Sequence, residues 1–218
     1  MIAMKKSLSD QDRRELDKLV EETEKRTNCQ IVLSVIGRCD AYEELPWKAF
    51  ALGASLAGFL TILMNTVYPL WYTWDMTLVS VSATLTGGAF LALLVILLPG
   101  FAKFFQTSGQ ADTEVRQYAE ALFLERELFA TKNRTGILVL ISLFERKVII
   151  LPDTGLREQL PEKVLQPVIG AMTPILKKGD IRKAFETGLE QLTRNIQPGS
   201  LGTGEDELPN AMIEEKGV

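Results

Sequence analysis

Residues 136–152 read GILVLISLFERKVIILP. The run 137–144 is almost continuously apolar, which is the pattern of a strand covered on both faces rather than one. Glu145-Arg146 is a tight reversal into a second β-branched run over 147–151, so the stretch predicts a β-hairpin with a central first strand. A chain built around such a strand needs helices above and below it.

Helical signals lie on both sides. Upstream, Asp112 is placed to cap a helix that carries Val115, Tyr118, Ala119, Leu122 and Phe123 on one side, broken by residues 133–136. Downstream, past Pro152-Asp153-Thr154-Gly155, helical period returns at Val164, Leu165, Val168, Ile169 and Met172. Pro167 falls inside that run and is expected to start, kink or break the helix, because it donates no hydrogen bond. Gly179-Asp180 then caps a last helix with Ile181, Ala184, Phe185, Leu189 and Leu192 inward. From Gly199 the tail is acidic and Gly-rich, and flexibility is expected over 198–218.

The N-terminal segment reads helix then strand. Ser9 with Asp12 three residues on forms a capping-box variant, and Leu16, Leu19 and Val20 mark one apolar face. Thr27-Asn28 ends the helix, and residues 30–36 (QIVLSVI) are a strand stopped by Gly37. A lone helix and strand bury too little apolar area to offset their ordering entropy. This strand and the later hairpin are therefore expected in one sheet, within one α/β domain formed by residues 7–46 and 108–197.

What separates the two halves is an apolar block. Between Lys48 and Lys103 the only charge is Asp75, in a chain of net charge −4 and pI near 5.1. Each uncharged run, 49–74 and 76–102, exceeds the roughly 20 residues that cross a bilayer. A pair of buried helices in a soluble core is the alternative, but core helices keep a polar face. A transmembrane hairpin is thus expected over 47–104, with spans near 49–70 and 77–99. Trp47 would sit at one membrane face, and Tyr68, Trp71, Tyr72 and Trp74 at the other, where amphipathic rings favour the headgroup level.

Arg38, Lys48, Lys103 and Arg116 flank the spans while the connecting turn has no Lys or Arg, which places both termini and the α/β domain in the cytoplasm of a multi-pass inner-membrane protein. The N-terminus is charged and lacks the apolar core of a signal peptide. Small residues recur at four-residue spacing in Gly53-Ala57, Ala54-Gly58, Ala83-Gly87 and Thr84-Gly88. Packing of the hairpin on itself explains them, with homo-oligomerisation or a partner helix as the alternative. No ionisable residue lies deep in either run, against an ion path.

Residues 134–155, with 119–126 (AEALFLER) and 176–189 (LKKGDIRKAFETGL), resemble the TPM domain, a family with thylakoid-lumen, photosystem II repair and acetylcholine-receptor-accessory members. The resemblance covers nearly all of the polar chain outside the tail. It is closest to a bacterial membrane subgroup in which two transmembrane helices follow the first strand. It implies an α/β/α sandwich with a mixed central sheet. Some members are weak acid phosphatases or bind divalent cations; others are assembly or accessory factors, and bacterial genes often neighbour those of LemA-type membrane proteins. This chain departs from the family where an Asp-x-Ala-Gly-x-Leu-Ser motif precedes the first helix. Lys5-Lys6-Ser7-Leu8-Ser9 keeps only Leu-Ser, so a plausible metal ligand is missing.

The chain contains no His, which removes His bases, His ligands and Ser-His or Cys-His pairs. Gly-Asp-Ile-Arg-Lys from Gly179 lacks phosphate-loop spacing. Cys29 and Cys39 fit no metal or redox spacing and suit plain packing in a reducing compartment. Phosphoester chemistry would need carboxylates holding Mg²⁺ or Ca²⁺ and an Arg to neutralise phosphate. Asp153 and Asp40, at strand ends, are the candidate ligands, with Arg134, Arg146 and Arg157 as candidate anion contacts. The plainer reading makes Asp153 a turn residue, Asp180 an N-cap and the arginines solvated surface. The expected function is a membrane-anchored binding or assembly module for a membrane partner, in contact with the lipid bilayer and not with nucleic acid. The alternative is a divalent-cation-dependent phosphoric monoester hydrolase.

Overall fold

The computed structural model describes residues 8–67, 74–196 and 213–215. The chain forms two compact units, one comprising Met1–Asp40 with Asp112–Val218 and the other Ala41–Ala111. The first is an α/β unit with a four-stranded mixed sheet among the described residues.

Helix α1 (Asp10–Thr27) begins at Ser9, whose hydroxyl accepts from the Asp12 N–H while the Asp12 carboxylate accepts from the Ser9 N–H. This reciprocal cap satisfies two amides that the first turn leaves open. Asn28, in the left-handed region at φ 54°, turns the chain into β1 (Gln30–Ile36). Strands β2 (Gly136–Ser142) and β3 (Lys147–Pro152) are the antiparallel hairpin, in register from Ile137 opposite Pro152 to Ser142 opposite Lys147. β1 runs parallel to β2, from Gln30 opposite Gly136 to Ile36 opposite Ser142. Strand β4 (Ile213–Glu215) adds parallel to β1, giving the order β3-β2-β1-β4.

Every residue of β1 and β2 is buried, which accounts for their unbroken apolar runs. Alternation then assigns the faces. Ile31, Leu33, Val35, Ile137, Val139 and Ile141 join a core with α1, α6 (Glu162–Lys177) and α7 (Ile181–Asn195). Val32, Ile36, Leu138 and Leu140 join a second core with Val115, Ala119, Leu122 and Phe123 of α5 (Ser108–Glu125).

Three local expectations are corrected. Asp112 lies inside α5 rather than capping it, and its carboxylate pairs with Lys147 Nζ at 2.7 Å across to β3. α6 runs on through both Pro167 and Pro174, which sit on its exposed side, where water can take the carbonyls that lose a partner. The tail is not featureless: Ile213, only 8% exposed, seats in the second core and lets three residues pair with the otherwise open edge of β1. Asp180 does cap α7, accepting from the Lys183 N–H at 3.0 Å.

The second unit contains α2 (Glu44–Val67), α3 (Trp74–Leu97) and a short α4 (Pro99–Phe105). The uncharged run to residue 102 is not one helix. Leu98 is extended and Pro99 opens a new helix, because proline suits a first turn and breaks an interior one. α2 and α3 pack closely through glycine. A Cβ on Gly53 would lie 2.5 Å from the Gly87 carbonyl oxygen, and one on Gly88 would lie 2.8 Å from the Phe50 ring.

Candidate functional site

The sheet separates the candidate residues into two groups. At the edge where β1 and β2 begin, Asp153 follows β3 and donates its N–H to the Gly136 carbonyl at 2.8 Å. Its Oδ1 accepts from the Thr154 N–H at 2.6 Å and caps the 3-10 turn Thr154–Leu156. Arg134 Nε lies 2.9 Å from Oδ2, although no N–H is aligned with that oxygen, so the contact is an ion pair without a linear hydrogen bond. The carboxylate side chain is 4% exposed and the arginine 48%, and the guanidinium also rests over the Phe129 ring at 5.7 Å.

Gly155 completes this corner. Its N–H donates to the Arg134 carbonyl at 3.0 Å, and a Cβ there would meet the Asn133 carbonyl oxygen at 2.2 Å. Arg134 itself takes φ 57°, the left-handed region. Arg157 closes the 3-10 turn and is exposed. The arrangement locks the end of β3 against the loop before β2. Its carboxylate holds a hydrogen bond on Oδ1 and the Arg134 charge on Oδ2.

Asp40 and Arg146 lie at the other end, where β1 and β2 finish. The length of β1, seven residues at about 3.3 Å each or about 23 Å, lies between the two ends. Asp40 and Asp153 therefore do not share a metal ion. Among the described residues no three Cys, Asp or Glu side chains are grouped to hold one.

The most buried acid at this second end is Glu145, in the reversal between β2 and β3. Its Oε1 accepts from the Cys39 N–H at 3.2 Å and its Oε2 from the Ser142 hydroxyl, so it ties the loop after β1 to the β2–β3 turn. Arg38 stacks on Phe144 at 4.9 Å beside it. Burial pushes the Cys39 thiol up to about 12 and the Cys29 thiol up to about 11, so both stay protonated and inert.

A cleft of about 420 Å³ opens between the start of α1 and the α6–α7 connection, lined by Leu8, Asp12 and residues 178–182. Lys178 and Arg182 are the cations of its lining, and Arg182 bonds Glu186 at 2.8 Å, contacts Asp12 at 3.4 Å and pairs with Glu15. Glu186 and Glu15 raise the Arg182 pKa further, while the Ser9 hydroxyl and amide, with Arg182, hold Asp12 below the usual carboxylate range. Asp12 and Arg182 are 170 residues apart, so no spacing in the sequence could have joined them.

The second unit offers a different surface. Leu52, Leu56, Phe59, Ile62, Leu78, Val81, Phe90 and Ile96 are all exposed, and only 6% and 11% of the apolar windows of α2 and α3 are buried. Trp47 is 72% exposed. Tyr68, Trp71 and Tyr72 lie outside the described residues, as does the side chain of Trp74, which begins α3.

Comparison with known proteins agrees with this architecture. Residues 95–195, from the last turn of α3 to the end of α7, match the TPM domain, described as TPM_phosphatase. The NMR structure of the BA42 protein from the psychrophilic bacterium Bizionia argentinensis superposes with a TM-score of 0.56 at 12% identity, over 98% of this chain and 99% of that one. At that identity the likeness is one of fold. No curated protein matches the sequence.

Proposed function

We propose that the chain is a membrane-anchored binding module: an α/β/α sandwich of TPM type, interrupted by a transmembrane hairpin, that docks on a membrane protein partner. The observation that carries the anchor is the apolar exposure of α2 and α3. Each has 24 residues, about 36 Å at 1.5 Å per residue, enough for about 30 Å of hydrocarbon. A soluble core helix would bury such a surface, whereas lipid solvates it. Only six residues link the two helices, so both outer ends return to one side. Within the α/β unit, Asp40 follows the end of β1 and Asp112 pairs with Lys147 at that same edge, which suits an insertion leaving and re-entering there.

The binding reading is favoured over hydrolysis by the engagement of Asp153 and its distance from Asp40. The phosphatase reading draws on the description of the matched family. Full-length protein in mild detergent, assayed with Mg²⁺ or Ca²⁺ on a generic phosphomonoester, separates the two. Turnover lost in Asp153→Ala, with the fold intact, would establish the enzyme. Co-purification of a membrane partner without turnover, LemA-type proteins being the first to look for, supports the module.

Topology is tested by an impermeant maleimide on intact cells. The native thiols are buried, so introduced cysteines report. Thr73→Cys, in the link between the two spans, should label, and Glu158→Cys in the α/β unit should not. Labelling of Glu158→Cys alone would reverse the orientation, and release of the protein by alkali without detergent would remove the anchor.

A further inference from the structure

The edge of β1 opposite β2 is closed unevenly. Near its start the Ile31 N–H, which points away from β2, donates to the Glu24 carboxylate at 2.7 Å, so a side chain stands where a strand would pair. At its end, Ser34, Val35 and Ile36 pair with Ile213, Glu214 and Glu215. Among the described residues β4 is thus three residues long against the seven of β1. It is held by the ladder, by Ile213 in the core and by a partly exposed ion pair between Glu214 and Arg13 of α1.

These ties are weak for a segment joined to α7 by residues 197–212. Partly exposed ion pairs contribute little, a short edge strand is marginal, and closing a long connection costs entropy that grows with its length. The chemistry of the edge is nevertheless specific. It offers a buried apolar seat, a parallel backbone ladder and the cationic Arg13, whose buried Nε is a donor with no hydrogen-bond partner among the described residues. Glu24 stops an acidic strand from extending toward the start of β1.

We infer that the edge at Ser34–Ile36 is a peptide-docking site occupied in cis by the chain's own C-terminal strand, and that an extended segment of apolar–acidic–acidic order from a partner protein exchanges with it. The added strand runs parallel to β1, with its apolar residue in the seat of Ile213 and its first acid on Arg13. The inference rests on reading the chain as a binding module but not on its membrane anchor, since all the residues belong to the α/β unit.

The test uses full-length protein in detergent and a fluorescent peptide of residues 210–218, NAMIEEKGV, read by anisotropy. Wild type should bind it weakly because its own tail competes. Ile213→Asp in the chain, which unseats that tail, should bind roughly tenfold more tightly, the scale of one buried aliphatic residue. A peptide carrying Ile213→Asp should not bind. A charge swap serves as the second variant: Arg13→Glu should lose the native peptide and accept one with Glu214→Arg. Equal affinity in wild type and Ile213→Asp, or indifference to the swap, overturns the docking site. Partner co-purification that survives Arg13→Glu also overturns this edge as the contact, yet leaves the binding-module reading standing.

Discussion

Gly53 and Gly87 bring the backbones of α2 and α3 so close that a methyl group on Gly53 would stand 2.5 Å from the Gly87 carbonyl oxygen. No rotamer change relieves such a clash, because the obstacle is backbone. Gly53→Ala should therefore force the helices apart and lower thermal stability in detergent by about 1–3 kcal/mol, the cost of overpacking. Gly58→Ala is the control. Its nearest neighbour is Thr84 at 3.9 Å, and the hairpin should tolerate it. Equal melting temperatures for both variants would refute the close approach.

Asp153 is a corner post in this fold. Asp153→Ala removes the cap on Thr154 and leaves Arg134 without its acid, and urea denaturation should show a loss of about 1–3 kcal/mol, below that of a fully buried pair because the arginine is half exposed. Arg134→Ala should cost a similar amount, since it strands a buried carboxylate. A double variant no worse than either single one would show that the two act as a unit.

The two thiols report on folding. Iodoacetamide at pH 8 should leave Cys29 and Cys39 unmodified in the native protein and alkylate both after denaturation. Their folded pKa values, about 11 and about 12, lie above the ordinary 9.0. Their contribution to stability is therefore whole below about pH 9 and is lost as pH rises toward 12. Denaturation midpoints measured across that range should fall, and Cys39→Ser should flatten the decline.

At the acid end, Asp12 has a folded pKa held below the ordinary 3.8, first by the Ser9 hydroxyl and amide and only then by Arg182. A lowered carboxyl pKa gives stability that is whole above the unfolded value and is lost as pH falls through the lower, folded one. Ser9→Ala should therefore reduce the acid dependence of the melting temperature below about pH 4 more than Arg182→Gln does. The reverse order would mean that the ion pair, and not the cap, controls Asp12.

Much of this architecture was legible in local pattern. Ser9 and Asp12 announced the α1 cap, the unbroken run over 137–144 announced a strand covered on both faces, and Gly179-Asp180 announced the start of α7. These signals are local because capping and alternation act within a few residues. The misreadings were also local rules overruled from a distance. Asp112 has the residue type of a cap, but α5 begins earlier, at Ser108, and its carboxylate pairs with Lys147; Pro167, expected to start, kink or break a helix, neither starts nor ends α6.

The site was less legible. Asp153 and Asp40 both follow strands, and spacing alone could not reveal that β1 and β3 run in opposite directions, on either side of β2, and carry the two acids to opposite ends of the sheet. Arg182 drew no notice, since its partners Asp12 and Glu15 lie at the far end of the chain.

By itself the sequence determined the main helices, the first three strands, and where a block with one charge divides the polar chain, because each depends on the period and composition of neighbouring residues. Only the tertiary structure decided which strand pairs with which, that three residues of the acidic tail complete the sheet, and that Arg182 is shared among acids from two helices. Those outcomes turn on contacts between residues far apart in the chain, whose energy exists only once the backbone has folded to bring them together.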